Sequence, residues 1–148
     1  MGDLSDWPRH DLRRAVLAGL AYFAMVFAAG FVLGTLRVFL LIPRVGETAA
    51  VLIELPVILG IAWLACRRLV AAFDVASKLT PRLVMGGVAF LTLMSAELGL
   101  SVLAFGRTFA DHLDQYRDVH ALLGLAGQVA FGLFPSIQLR KGNRSERA

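Results

Sequence analysis

The chain has 148 residues, is 57% hydrophobic with a mean hydropathy of +0.68, and carries a formal charge of +4. Soluble domains sit nearer about 45–50% apolar, and the surplus here is gathered into four blocks that leave little polar sequence to coat a water-facing surface. The single cysteine, Cys66, excludes an intrachain disulfide and any multi-cysteine metal site.

The first apolar block, Ala15–Leu36, follows Arg9, Arg13 and Arg14. It is longer than the hydrophobic region of a secretory signal, and no small-x-small cleavage site closes it, so it reads as a retained first helix spanning about 15–42. The opening "MGDLSD" places Asp6 where an acylation signal needs Ser or Thr. Gly30 and Gly34 form a small-xxx-small pair, which predicts close packing against another helix of the chain. Arg37 stands near the end of this block, ahead of a short turn at 43–48.

The second block, Ala49–Cys66, predicts a span over about 48–67 and contains Glu54 and Pro56. Pro56 has no N–H to offer the Leu52 carbonyl one turn earlier, so a proline kink is expected there, with a helix break or a late helix start as the alternative. The 67–82 connection carries Leu69, Val70, Phe73 and Val75 among basic residues, which suits a short amphipathic helix lying on the membrane surface. The third block, Leu83–Phe105, predicts a span over about 82–105 with Glu97 and, one turn later, Ser101. In the 106–120 loop, Phe109, Leu113 and Tyr116 recur at i, i+4 and i+7, which predicts an interfacial helix. The fourth block, Ala121–Leu139, predicts a span over about 120–139 with Gln128; the polar residues 140–148 read as a disordered tail. Trp7 and Trp63 read as interface anchors.

A helix crosses the ~30 Å hydrocarbon core with ~20 residues, and backbone polar groups in lipid must be satisfied internally. No block alternates apolar and polar residues at period 2, so barrel strands are rejected. The expected fold is all-α: one domain, 1–148, an integral membrane four-helix bundle. Eleven of the fifteen Lys and Arg fall in the N-terminal segment, the 67–82 connection and the tail. Positive residues favour the cytoplasmic side, so both termini are expected in the cytoplasm of a cell whose plasma or inner membrane holds the protein. The charge therefore reads as orientation, not as a nucleic-acid surface.

Four polar side chains then stand out. At ~1.5 Å of rise per residue, Glu54, Glu97 and Gln128 lie roughly 8–12 Å beneath the outer surface, with Arg37 at its boundary. Helical side chains lean toward the N-terminus of their own helix. Arg37 and Glu54, on oppositely running helices, therefore lean toward each other, and so do Glu97 and Gln128. A charged group costs ~2.5–3.5 kcal/mol at a span's centre and faces the bundle interior. The expectation is a polar cluster: an Arg37–Glu54 ion pair, with Glu97 either its third member or a protonated carboxyl bonded to Gln128, and Ser101 extending the stripe.

Three function classes fit. The first is a non-enzymatic membrane module, either a subunit of a larger membrane assembly or homo-oligomer, or a binder of a small ligand at the polar cluster. The second is a proton- or ion-coupled carrier that uses Glu54 and Glu97. The third, an enzyme acting on a lipid-like substrate, is the weakest, because no nucleophile or metal set accompanies the two carboxyls. His112, His120, Asp111, Asp114 and Asp118 have no standard metal spacing, and no phosphate-binding glycine loop, HExxH or GxSxG occurs, so no cofactor is expected.

Overall fold

A computed structural model of the chain describes residues 9–103, 106, 108, 110, 114 and 117–145. Among the described residues there are helices and no strands. Helix α1 spans Arg9–Leu36 and passes into a π-helical stretch, Arg37–Leu41, and a single turn, α2, at Ile42–Val45. Helix α3 spans Glu47–Ala72, α4 spans Leu79–Leu103 and α5 spans Val119–Ser145. Four stretches, Arg9–Val45, Glu47–Ala72, Leu79–Leu103 and Val119–Leu139, are long and apolar enough to cross a membrane.

Their outward surface agrees with that reading. No more than 28% of the residues in any apolar window are buried within the chain. Leu64 and Leu91 are exposed by 58% and 65%. Apolar surface this extensive is unfavourable against water and ordinary against lipid.

The helices form a ring in which α1 and α5 face each other across the centre, as do α3 and α4. At the end that holds the α3–α4 connection, the ring is tightly closed. Ala15, Ala18 and Tyr22 of α1, Ala62, Ala65 and Cys66 of α3, Met85 and Ala89 of α4, and Phe131 of α5 form one buried cluster. Small residues let the backbones approach: a Cβ on Gly19 would lie 2.6 Å from the Met85 carbonyl oxygen, and one on Gly86 would collide with the Gly132 carbonyl. Cys66 is a packing residue there, fully buried and unpaired by any disulfide.

The α3–α4 connection departs from the expected surface helix. Helix α3 runs on to Ala72 and closes with Asp74 at φ 49°, where Val75 N–H bonds the Val70 carbonyl and Asp74 N–H bonds the Ala71 carbonyl. This pair of bonds satisfies the last carbonyls of the helix and reverses the chain. Val75 enters the buried cluster, with Leu69, Val70 and Phe73 packed against it. These four apolar residues thus pack against the bundle's own core. Arg82 donates from Nε to the Ala76 carbonyl (3.3 Å) and from Nη2 to the Val75 carbonyl (3.5 Å), and Arg14 donates to Asp74 (2.9 Å).

Helix α3 passes through Pro56 without interruption, so the proline neither ends nor begins it. Its missing hydrogen bond costs one carbonyl partner, and the remaining bonds of a 26-residue helix carry the geometry across. Helix α5 continues to Ser145, through the first residues of the expected disordered tail. Trp63 is half-buried and packs edge-to-face on Phe134 with ring centroids 5.1 Å apart. Trp7, the residues Phe109, Leu113 and Tyr116 of the predicted interfacial helix, and Asp111 and His112 lie outside the described residues.

Candidate functional site: a polar cleft at the open end of the bundle

Toward the end that holds Gly46, the helices part. The irregularity that shapes this end is in α1, not at Pro56. Pro43 cannot donate a backbone hydrogen bond, and just before it the helix widens: Ile42 N–H bonds the Arg37 carbonyl five residues back. The Arg44 guanidinium donates to the Leu40 carbonyl at 2.7 Å. Short π-helical stretches re-aim side chains and recur at functional sites. Gly46 then turns the chain at φ 80°, a conformation that suits glycine, and α3 begins.

The separation of the helices leaves a cleft of about 730 Å³ whose walls come from α1, the π-helical stretch, α3, α4 and α5. Its lining is mainly apolar, with Phe27, Phe31, Ile58, Leu93 and Phe131 among the wall residues. Gly30 and Gly34 face it. A Cβ on Gly30 would meet only Ile58 Cδ1, at 3.9 Å, and one on Gly34 would meet nothing within 4 Å. The close helix contact expected from this glycine pair is therefore not made within the chain; tight glycine contacts are at Gly19 and Gly86, where the bundle is closed, and at Gly127, whose Cβ would meet Leu55 Cδ1. At Gly30 and Gly34 the missing side chains widen the cleft.

Seven polar side chains line the same space: Thr35, Arg37, Glu47, Glu54, Glu97, His120 and Gln128. Arg37 Nε lies 3.2 Å from Glu54 Oε2. Both atoms are shielded from solvent, and neither makes a hydrogen bond. The N–H is therefore not aligned on the oxygen, and the attraction is electrostatic rather than directional. The Glu54 side chain is 13% exposed and that of Arg37 33%. On the other side, Gln128 Nε2 donates to Glu97 Oε1 at 2.6 Å. A glutamine amide both donates and accepts, so it can serve either a carboxylate or a carboxylic acid. At the rim, His120 Nε2 is 3.5 Å from Glu47 Oε2.

The structure thus gathers Arg37, Glu54, Glu97 and Gln128 on one cleft and joins Glu97 to Gln128. Ser101 and Pro56 do not line it. Ser101 is buried in α4, and its hydroxyl finds no hydrogen-bond partner among the described residues, unlike Thr92 and Ser95, which bond carbonyls of their own helix. Glu47 and His120 escape a reading confined to the span interiors. The cue to them is that both open spans that begin at the same end of the bundle.

Compared with protein-family models, with curated proteins and with solved structures, the chain matches none.

Proposed function

We propose that the protein is a non-enzymatic, ligand-binding module of a plasma or inner membrane, threaded with both termini in the cytoplasm, and that the cleft is its binding site in the outer half of the bilayer. One observation carries the reading: the cleft of about 730 Å³ between helices that are tightly packed elsewhere, with polar side chains from separate helices on its apolar walls. Ligand sites are apolar concavities of about 300–1,000 Å³ with a few convergent polar groups. A subunit serving only as a structural element has no need to leave that volume open. The excess of Lys and Arg on the segments at the closed end supports the threading. Arg37 and Glu54 act as an ion pair that holds α1 and α3 in register across the opening.

Cavity filling tests it. Gly34→Leu starts its side chain where an added Cβ meets open space, and thermal unfolding in detergent reads both its folding and its ligand occupancy. A panel of small amphiphiles should raise the Tm of the natural protein and not that of Gly34→Leu. Equal responses from both proteins would remove the cleft as the site.

A second reading, a proton-coupled carrier, is favoured by the Glu97–Gln128 pair, since the amide accommodates both protonation states of the carboxyl. Liposomes with an imposed pH gradient test it: gradient-driven uptake lost in a folded Glu97→Gln protein supports carriage, and binding without uptake returns the protein to the first reading.

A further inference from the structure

We infer that the cleft binds uncharged amphiphiles whose head group donates a hydrogen bond, an alcohol O–H or an amide N–H on an apolar body, in preference to equally apolar molecules without a donor. The inference rests on the ligand-binding reading above and names its substrate class. It comes from the hydrogen-bonding capacity left on the walls. Among the described residues that line the cleft, three side-chain atoms are shielded from solvent and make no hydrogen bond: Arg37 Nε, Glu54 Oε2 and Gln128 Oε1. The first two lie 3.2 Å apart and attract each other. Gln128 Oε1 is left. Its amide nitrogen donates to Glu97 Oε1 at 2.6 Å, which fixes the amide with its oxygen free to accept. The Thr35 hydroxyl, by contrast, already donates to the Phe31 carbonyl of its own helix at 2.8 Å. A shielded acceptor without a donor is destabilising, and the O–H or N–H of a bound ligand removes that cost.

Walls and acceptor together define the class. Phe27, Phe31, Ile58, Leu93 and Phe131 offer carbon surface to an apolar body. That surface does not distinguish a ligand with a donor from one without, so the preference falls to Gln128. An amide oxygen is a neutral acceptor: it repays one hydrogen bond and does not repay the lost hydration of an ion. An ether or an alkane fills the same space and leaves the oxygen unmet. Sites that hydrogen-bond a ligand group discriminate against the analogue that lacks it, because their own polar atom is then left unpaired.

The test uses the full chain in nanodiscs of neutral phosphatidylcholine, with empty nanodiscs subtracted and probe expressed per lipid so that partitioning cancels. The probes are 1-decanol and decyl methyl ether, which share a chain and differ in the donor. 1-Decanol should bind saturably and about tenfold more tightly than the ether, about 1.4 kcal/mol. Gln128→Leu removes the acceptor and should bring the two probes within about twofold of each other, by weakening 1-decanol and sparing the ether. A merely structural role for Gln128 would weaken both alike and keep their ratio. If Gln128→Leu fails to fold, the side-chain carbonyl carbon resonance of Gln128 in the natural protein decides: 1-decanol should move it downfield, as an accepted hydrogen bond does, and the ether should not. The ether binding as tightly as 1-decanol, a ratio unchanged in Gln128→Leu, or a carbonyl resonance that both probes move alike overturns the inference. If the two probes bind equally and Gly34→Leu abolishes both, the donor preference falls and the ligand-binding reading stands. If neither probe binds saturably, both fall.

Discussion

Tyr22 of α1 reaches across the bundle to Phe131 of α5: its hydroxyl donates to the Phe131 carbonyl at 3.1 Å, and the two rings stack with centroids 4.3 Å apart. These helices face each other across the centre, so this one side chain joins two elements whose backbones do not touch. It also stands at the boundary between the packed and open halves, since Phe131 belongs to the buried cluster and lines the cleft as well.

Removing the hydroxyl and removing the ring should therefore cost different amounts. Tyr22→Phe loses one interhelical hydrogen bond, about 0.6–1.5 kcal/mol. Tyr22→Ala also opens a void at a fully buried position and should cost about 3–5 kcal/mol. Denaturant titration of both variants in bicelles measures the two losses. Equal losses would mean that the ring contributes nothing.

Glycines at the two ends of the bundle should respond in opposite ways to an added side chain. Gly86→Ala drives a Cβ into the Gly132 backbone carbonyl and should destabilise by about 1–3 kcal/mol or prevent folding. Gly34→Ala meets open space and should change stability by less than about 0.5 kcal/mol. Melting temperatures in detergent check the contrast, and a tolerated Gly86→Ala would mean that α4 and α5 are not in contact there.

The Arg37–Glu54 approach invites a double-mutant cycle with Arg37→Gln and Glu54→Gln. Each single change leaves a partly shielded charge unmatched and should cost about 1–3 kcal/mol, less than a fully buried pair because Arg37 is one-third exposed. The double variant should recover part of the loss, giving a coupling of about 0.5–3 kcal/mol. Additive losses would show that the two side chains do not interact.

Threading can be read with a membrane-impermeant maleimide on intact cells. The natural Cys66 is fully buried and should stay unlabelled. Thr48→Cys, in the first turn of α3, should label from outside, and Lys78→Cys, just ahead of α4, only after permeabilisation. The reverse pattern would place the cleft in the cytoplasmic half.

The four spans were legible because hydrophobic blocks of about 20 residues have few alternatives in so short a chain. The pairing of Glu97 with Gln128, and the facing of Arg37 and Glu54, were legible for a related reason: depth follows from rise per residue, and side-chain lean follows from helix direction. Both are local properties of single helices. Pro56 stays inside a continuous helix, because a proline in a long helix costs one hydrogen bond, which packing can absorb. Leu69, Val70, Phe73 and Val75 misled because an apolar set beside basic residues reads alike whether it meets lipid headgroups or the underside of a bundle.

Residue order alone thus dictated the number of long apolar helices and roughly where each lies in the chain, since a bilayer leaves the backbone no other way to satisfy its hydrogen bonds. Tertiary packing decided where the bundle closes and where it opens. Gly19, Gly30, Gly34 and Gly86 are chemically identical, yet two of them admit a neighbouring backbone or side chain and two border a cleft. That difference depends on which helix lies opposite, which no single segment encodes.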